Sequence, residues 1–124
     1  MKEGILLYTL YWYPKCSTCK KAKAWLEAHQ VAFETYDMIQ TPPDAKQIAH
    51  WIETSDLPVR RFFNTSGMKY RELGLKDQVP HLTIEEASVL LSSDGMLIKR
   101  PLLVHDDQVV AVGFKETDYE GVFE

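Results

Sequence analysis

Cys16 and Cys19 are the only cysteines of the chain, and they stand where one hydrophobic pattern gives way to another. Upstream, Ile5-Leu6-Leu7-Tyr8-Thr9-Leu10-Tyr11-Trp12-Tyr13 is dense in aromatic and branched residues, which suits a buried strand over residues 5–12. Downstream, Ala22, Trp25, Leu26 and Ala28 share one side of a predicted helix over 16–29, with lysines mostly on the other. Cys16 therefore falls at a helix start. Backbone N–H groups there lack intrahelical partners, and the helix dipole is positive. Both favour thiolate over thiol, and such a placement moves a cysteine pKa from about 8.5 to roughly 3.5–7.5.

Beyond the helix, Val31-Ala32-Phe33-Glu34-Thr35-Tyr36-Asp37 alternates and reads as a second strand. Strand, helix and strand form a βαβ unit, so the two strands are expected to be parallel. Thr41-Pro42-Pro43-Asp44 breaks the chain before a second helix with Ile48, Trp51 and Ile52 at helical spacing. Residues 57–78 are the least periodic, and short helices and turns are expected there. Thr83-Ile84-Glu85-Glu86 is a capping-box pattern that starts a helix over about 84–92, stopped by Ser92-Ser93-Asp94-Gly95. Pro101–Val104 and Val109–Val112 are strand runs around His105-Asp106-Asp107-Gln108, which makes an antiparallel hairpin. Thr117 is the expected cap of a last helix carrying Tyr119 and Phe123. The order β-α-β-α-(irregular)-α-β-β-α, with Cys-x-x-Cys after the first strand, is that of a thioredoxin-like α/β fold with a mixed four-stranded sheet. The whole chain, 1–124, is expected to be one domain with a helical insert at about 42–95.

With 124 residues, 45% of them hydrophobic and 26% charged, the chain has the composition of an ordinary soluble domain. A net charge of −4 argues against direct nucleic-acid binding through a broad basic surface. The apolar run near the N-terminus ends at Pro14-Lys15-Cys16 without a small-residue cleavage site, so it reads as a strand, not a signal peptide. No segment reaches the roughly 20 apolar residues of a membrane span. The expected location is the cytoplasm, where a nearby thiol pair is more often catalytic, redox-sensing or metal-binding than a structural staple. His29, His50, His81 and His105 lack ligand spacing, so no metal site is expected, and no motif asks for a cofactor. Arg100 suits either an interior ion pair or an anion site, because its fork fits carboxylates and oxyanions alike.

Three segments carry a resemblance over about residues 5–115. They are Tyr13-Pro14-Lys15-Cys16-Ser17-Thr18-Cys19-Lys20-Lys21-Ala22, Tyr70-Arg71-Glu72-Leu73-Gly74-Leu75, and the run from Leu91 through Arg100-Pro101 to Leu102. In this order they resemble the arsenate reductase/Spx family, and in particular an uncharacterised, Spx-related branch described as arsenate reductase-like. The resemblance implies a reactive cysteine at Cys16 and a cis-proline at Arg100-Pro101. It implies a substrate or anion site at Lys15, Ser17, Thr18, Asn64, Arg100 and Pro101. Arsenate-reducing members resemble one another in three arginines around the oxyanion. Arg100 matches one, while the other two would fall near Asn64 and Gly113, so two of the three charges are missing. Those members also tend to lack a second cysteine at the position of Cys19.

The chemistry expected of the pair is thiol–disulfide exchange. Cys16 attacks as the exposed thiol, and Cys19, on the same helix face, closes the internal disulfide. The implied partner is a thiol reductant such as glutathione, glutaredoxin or thioredoxin. The alternative implied by the Spx-type members is a redox-sensing transcription regulator that binds the RNA polymerase alpha subunit. Lys23-Ala24-Trp25-Leu26-Glu27 is similar to their first helix.

Overall fold

The computed structural model describes residues 7–124. Within them the first strand, β1, runs Tyr8–Trp12, and residues 5 and 6 of the expected strand lie outside the described residues. Helix α1 is Ser17–Ala28, with Cys16 and His29 as its caps. The helix closes when the Gln30 N–H bonds to the Glu27 carbonyl and the Val31 N–H to that of Leu26. Gln30 sits at φ +57° to allow this, in a Schellman-type ending. Val31 spends its N–H there, which is why β2 is Phe33–Asp37 and starts two residues later than the alternation suggests.

Helix α2, Ala45–Ser55, starts on Asp44, whose Oδ1 accepts the Gln47 N–H at 2.8 Å. The irregular stretch holds a 3-10 turn over Val59–Phe62 and two short helices, α3 (Met68–Glu72) and α4 (Leu75–Gln78). Helix α5, Ile84–Ser93, carries the complete capping box: Thr83 N–H to Glu86 at 2.9 Å, and Glu86 N–H to Thr83 Oγ1 at 3.0 Å. Strands β3 (Leu102–His105) and β4 (Gln108–Val112) form the hairpin. Its two-residue turn is Asp106-Asp107, both at positive φ, the conformation that matches strand twist. The last helix, α6, is Glu116–Val122. Its N-cap is Lys115, not the expected Thr117, which lies inside the first turn between Glu116 and Asp118. Two carboxylates at the positive helix end take the place of a hydroxyl cap.

The sheet order is β2-β1-β3-β4, with β1 and β2 parallel and the other pairs antiparallel. It is a mixed sheet of the thioredoxin-like α/β kind. Register places Leu10 opposite Leu103 and Leu103 opposite Ala111, one row of side chains across three strands. Ala22, Trp25 and Leu26 of α1 and Tyr119 of α6 pack with that row into one core. Trp12, Val110, Phe114 and Phe123 fill its margins.

The chain divides into two compact units. One holds the residues up to Asp37 and from Arg100 to Glu124, and the other is Met38–Lys99. In the second, α2 packs on α5 through Ile48, Trp51 and Ile52 on one side and Ala87 and Leu91 on the other. Phe63 bridges to Ile98, and the Lys99 N–H bonds to the Phe62 carbonyl at 2.9 Å. Gly95 in this unit lies so near the Met38 carbonyl that a β-carbon would collide with backbone. Gly121 in α6 has open space around it. We expect Gly95→Ala to lose about 2–3 kcal/mol of stability through overpacking, and Gly121→Ala to gain about 0.5–1 kcal/mol from helix propensity. Urea unfolding of the two variants beside the parent protein checks both signs.

Candidate functional site

A turn between β1 and α1 sets the position of Cys16. Its N–H bonds back to the Tyr13 carbonyl at 2.9 Å, and its carbonyl accepts the Lys20 N–H at 3.0 Å. Cys16 is the N-cap of α1, with extended backbone, φ −91° and ψ 121°. Its Sγ accepts the Cys19 N–H at 3.3 Å. A sulfur thus occupies the place where a serine or aspartate oxygen usually caps a helix. One turn on, Cys19 faces the core beside Ala22 and is fully buried, whereas Cys16 is partly exposed. Both thiols are free.

Arg100 reaches the same place through strand register. Tyr11 pairs with Leu102 in the antiparallel β1–β3 ladder. Two residues on in one strand and two back in the other brings Tyr13 alongside Arg100. The guanidinium lies over the Tyr13 ring, with Cζ 5.5 Å from the centroid. The Arg100-Pro101 peptide is cis, as the resemblance implies, and Pro101 is buried.

These neighbours split the two thiols electrostatically. Burial pushes the Cys16 thiol up, but hydrogen bonding from the Cys19 side chain and backbone, then hydrogen bonding and charge from Arg100, outweigh it. The result lies below the ordinary cysteine value. Burial pushes the Cys19 thiol up to about 12, helped by its bond to Cys16 and the charge of that sulfur. A backbone bond from Tyr13 and the Arg100 charge oppose this without overcoming it. The two thiols are thus shifted in opposite directions, Cys16 toward the thiolate and Cys19 away from it.

Of the other anticipated site residues, Lys15, Ser17 and Thr18 are exposed around the Cys16 turn. Asn64 belongs to the second unit. There its N–H bonds to the Leu97 carbonyl at 2.8 Å and its Nδ2 to the Met96 carbonyl at 3.4 Å. Gly113 is at φ +73°, a conformation that disfavours any side chain, and its N–H bonds to the Pro101 carbonyl at 2.8 Å. On Arg100, Nε and Nη1 are buried without a protein hydrogen-bond partner. Tyr13 was not anticipated as a site residue; its place directly before the cysteine turn was the available signal. Among the described residues no three His, Cys, Asp or Glu side chains gather closely enough to hold a metal ion, and no helix is long and apolar enough to cross a membrane.

Fold and site together define a thioredoxin-like protein with a Cys-x-x-Cys pair at the start of its first helix. The ArsC family model matches residues 11–122, and the chain belongs to that family. It is 51% identical over 112 residues to the uncharacterized protein YusI of Bacillus subtilis, covering 90% of this chain and 94% of that one. The global transcriptional regulator Spx of Streptococcus agalactiae is 27% identical over 112 residues, 90% of this chain and 80% of Spx. Among solved structures, a possible arsenate reductase from Streptococcus mutans superposes with a TM-score of 0.89. It is 48% identical and covers 96% of this chain and 99% of its own. At the level of the family, the chain is of the kind that includes thiol-dependent reductases and Spx-like regulators.

The electrostatic split has a directional consequence. Removing the Arg100 charge takes away influences that lower the Cys16 value, so that value rises and less thiolate exists at neutral pH. Arg100→Gln is expected to slow iodoacetamide alkylation of Cys16 at pH 7 by roughly three- to tenfold. Peptide mass mapping of the native reduced protein should find the label on Cys16 and none on Cys19.

Proposed function

We propose that this protein is a thiol–disulfide oxidoreductase in which Cys16 attacks and Cys19 resolves. The observation that carries the reading is the opposed state of two thiols one helical turn apart: Cys16 held below the ordinary range and partly exposed, Cys19 buried and held up to about 12. The Cys16 thiolate attacks one sulfur of a substrate disulfide, forming a mixed disulfide and expelling the other half as a thiolate. Its negative charge is then gone. Of the three influences that raise Cys19, the hydrogen bond to Cys16 and the charge of Cys16 disappear, leaving burial. Cys19 gives up its proton to the departing thiolate or to solvent and attacks the Cys16 sulfur, forming the Cys16–Cys19 bond as the mixed disulfide breaks and expels the remaining half of the substrate. The Cys16–Cys19 disulfide is returned to the dithiol by two electrons from a thiol reductant such as glutathione, glutaredoxin or thioredoxin.

Lys15, Ser17 and Thr18 form the rim at which a substrate enters, and Nε and Nη1 of Arg100 are the donors offered to an anionic or carbonyl oxygen. Arsenate is the less favoured substrate. Asn64 and Gly113 stand where the resemblance places two further arginines, and one guanidinium holds an oxyanion more weakly than three.

A second reading keeps the same disulfide but has it alter a docking surface for the RNA polymerase alpha subunit. The 27% identity to Spx supports it. A redox titration with alkylation and mass counting is expected to give a reversible Cys16–Cys19 disulfide between about −180 and −270 mV. Cys16→Ser should abolish reaction with a small aromatic disulfide, and Cys19→Ser should accumulate the mixed disulfide. Turnover with a coupled thiol reductant supports the enzyme. Oxidation-dependent capture of the alpha subunit without turnover supports the regulator. A Cys16→Ser variant that still reacts would sink both.

A further inference from the structure

The second unit carries a groove between α2 and α5, with Ala45, Lys46, Ala49 and Glu53 on one side and Ser88 and Val89 on the other. Its volume is about 470 Å³, far more than the water-sized gaps of a packed core. The buried side of α2 is Ile48, Trp51 and Ile52. Lys46, Ala49 and Glu53 follow at i, i+3 and i+7, so they make a second face of the same helix. That face is small at its centre, positive near the helix start and negative near the helix end. Lys46 and Glu53 are exposed, and neither holds an ion pair among the described residues. Across the groove Val89 is 62% exposed, a branched apolar side chain left in water.

We propose that this groove is the docking surface for a second copy of the chain, with the two α2 helices packed antiparallel about a two-fold axis beside Ala49. An axis across the helix reverses its direction, and the midpoint of positions 46 and 53 falls between Ala49 and His50. Lys46 of each copy then faces Glu53 of the other, so one symmetry operation makes two ion pairs. A parallel pairing would set lysine against lysine and glutamate against glutamate. The charge pattern therefore selects both the partner and its direction. Ala49 lets the helix axes approach closely. Val89 of each copy covers the groove of the other, where Ala45 and Ser88 are small enough to leave room. Glu85 also lines the groove and leaves each face with one net negative charge. That repulsion, and a surface smaller than the roughly 20–30 residues a side of a stable interface, make the dimer weak and concentration-dependent. The surface lies wholly within Met38–Lys99 and is independent of the thiol chemistry.

The test is analytical ultracentrifugation of the full chain with a phosphine reductant present, so that no disulfide through Cys16 joins two copies. The parent protein is expected to move from one chain mass toward two between micromolar and millimolar concentration, and to dissociate as salt is added. Lys46→Glu and Glu53→Lys each turn two attractions into two repulsions, and each alone should raise the dimer Kd by about tenfold. Mixed in equal amounts, the two variants regain opposite charges at both pairs and are expected to associate as tightly as the parent. A parent protein that stays monomeric throughout overturns the proposal and leaves the groove to a helix of a different protein. Single variants that dimerise like the parent also overturn it, because the contact then lies elsewhere. So does a mixture no tighter than its components, because the helices are then not antiparallel. Should either variant fail to fold, the parent protein with isotope-labelled valine methyls answers instead. The Val89 resonances are expected to move on dilution, and resonances that stay in place overturn the proposal.

Discussion

The packing of α1 against the sheet is the constraint from which the site follows. Ala22, Trp25 and Leu26 cover the row Leu10, Leu103 and Ala111, and Tyr119 closes the same core. Burying large side chains of this kind contributes on the order of 2 kcal/mol each, so the rotation of the helix is strongly specified. Once that rotation is set, Cys19 has no choice of environment: it lies one turn before Ala22 on the same face and goes into the core. Cys16, three residues earlier, falls at the helix end, where its sulfur meets the Cys19 N–H. A single hydrophobic stripe thus makes two chemically identical side chains unlike.

Electrostatics then widens the difference. Desolvation acts on both thiols in the same direction and by itself would leave both protonated. Donors near Cys16 outweigh it there and turn the shift downward, and part of that comes from Arg100, which the antiparallel pairing of β1 with β3 carries to the cysteine turn. Aromatic packing supports the arrangement, since the Tyr13 ring lies under the guanidinium and Trp25 holds Tyr119. The two units contribute differently. The first carries the cysteines, Arg100 and Tyr119, while Asn64 lies in the second and is engaged with the backbone around Met96 and Leu97.

Local signals in the sequence were legible where local physics decides. The capping box at Thr83 and Glu86 appears as written, and the periodicity of Ala22, Trp25 and Leu26 gives α1 and its buried face. The parallel β1–β2 pair follows from the βαβ unit, and the hairpin from two apolar runs around Asp106-Asp107. Ends were less legible. Thr117 looked like a cap, but the preceding Glu116 already begins the helix, and a hydroxyl cannot be told from a first-turn residue without the backbone. Val31 looked like strand, but its N–H closes α1. Both misreadings occur where one residue suits two adjacent structures and a single hydrogen bond decides.

What the sequence by itself determined is the chemistry available: two thiols at i and i+3, placed at the start of a helix that follows a strand. Hydrophobic period and helix-end electrostatics are short-range, so a window of about thirty residues contains them. Tertiary structure alone decided which thiol is which in degree, by supplying the burial around Cys19 and the guanidinium beside Cys16. It alone also brought Tyr119 into the core of the cysteine helix. Arg100 and Tyr119 lie far along the chain from Cys16 and Cys19, and no spacing or propensity encodes such an approach. It exists because strand register and helix packing, summed over many weak contacts, have one arrangement that buries the apolar row.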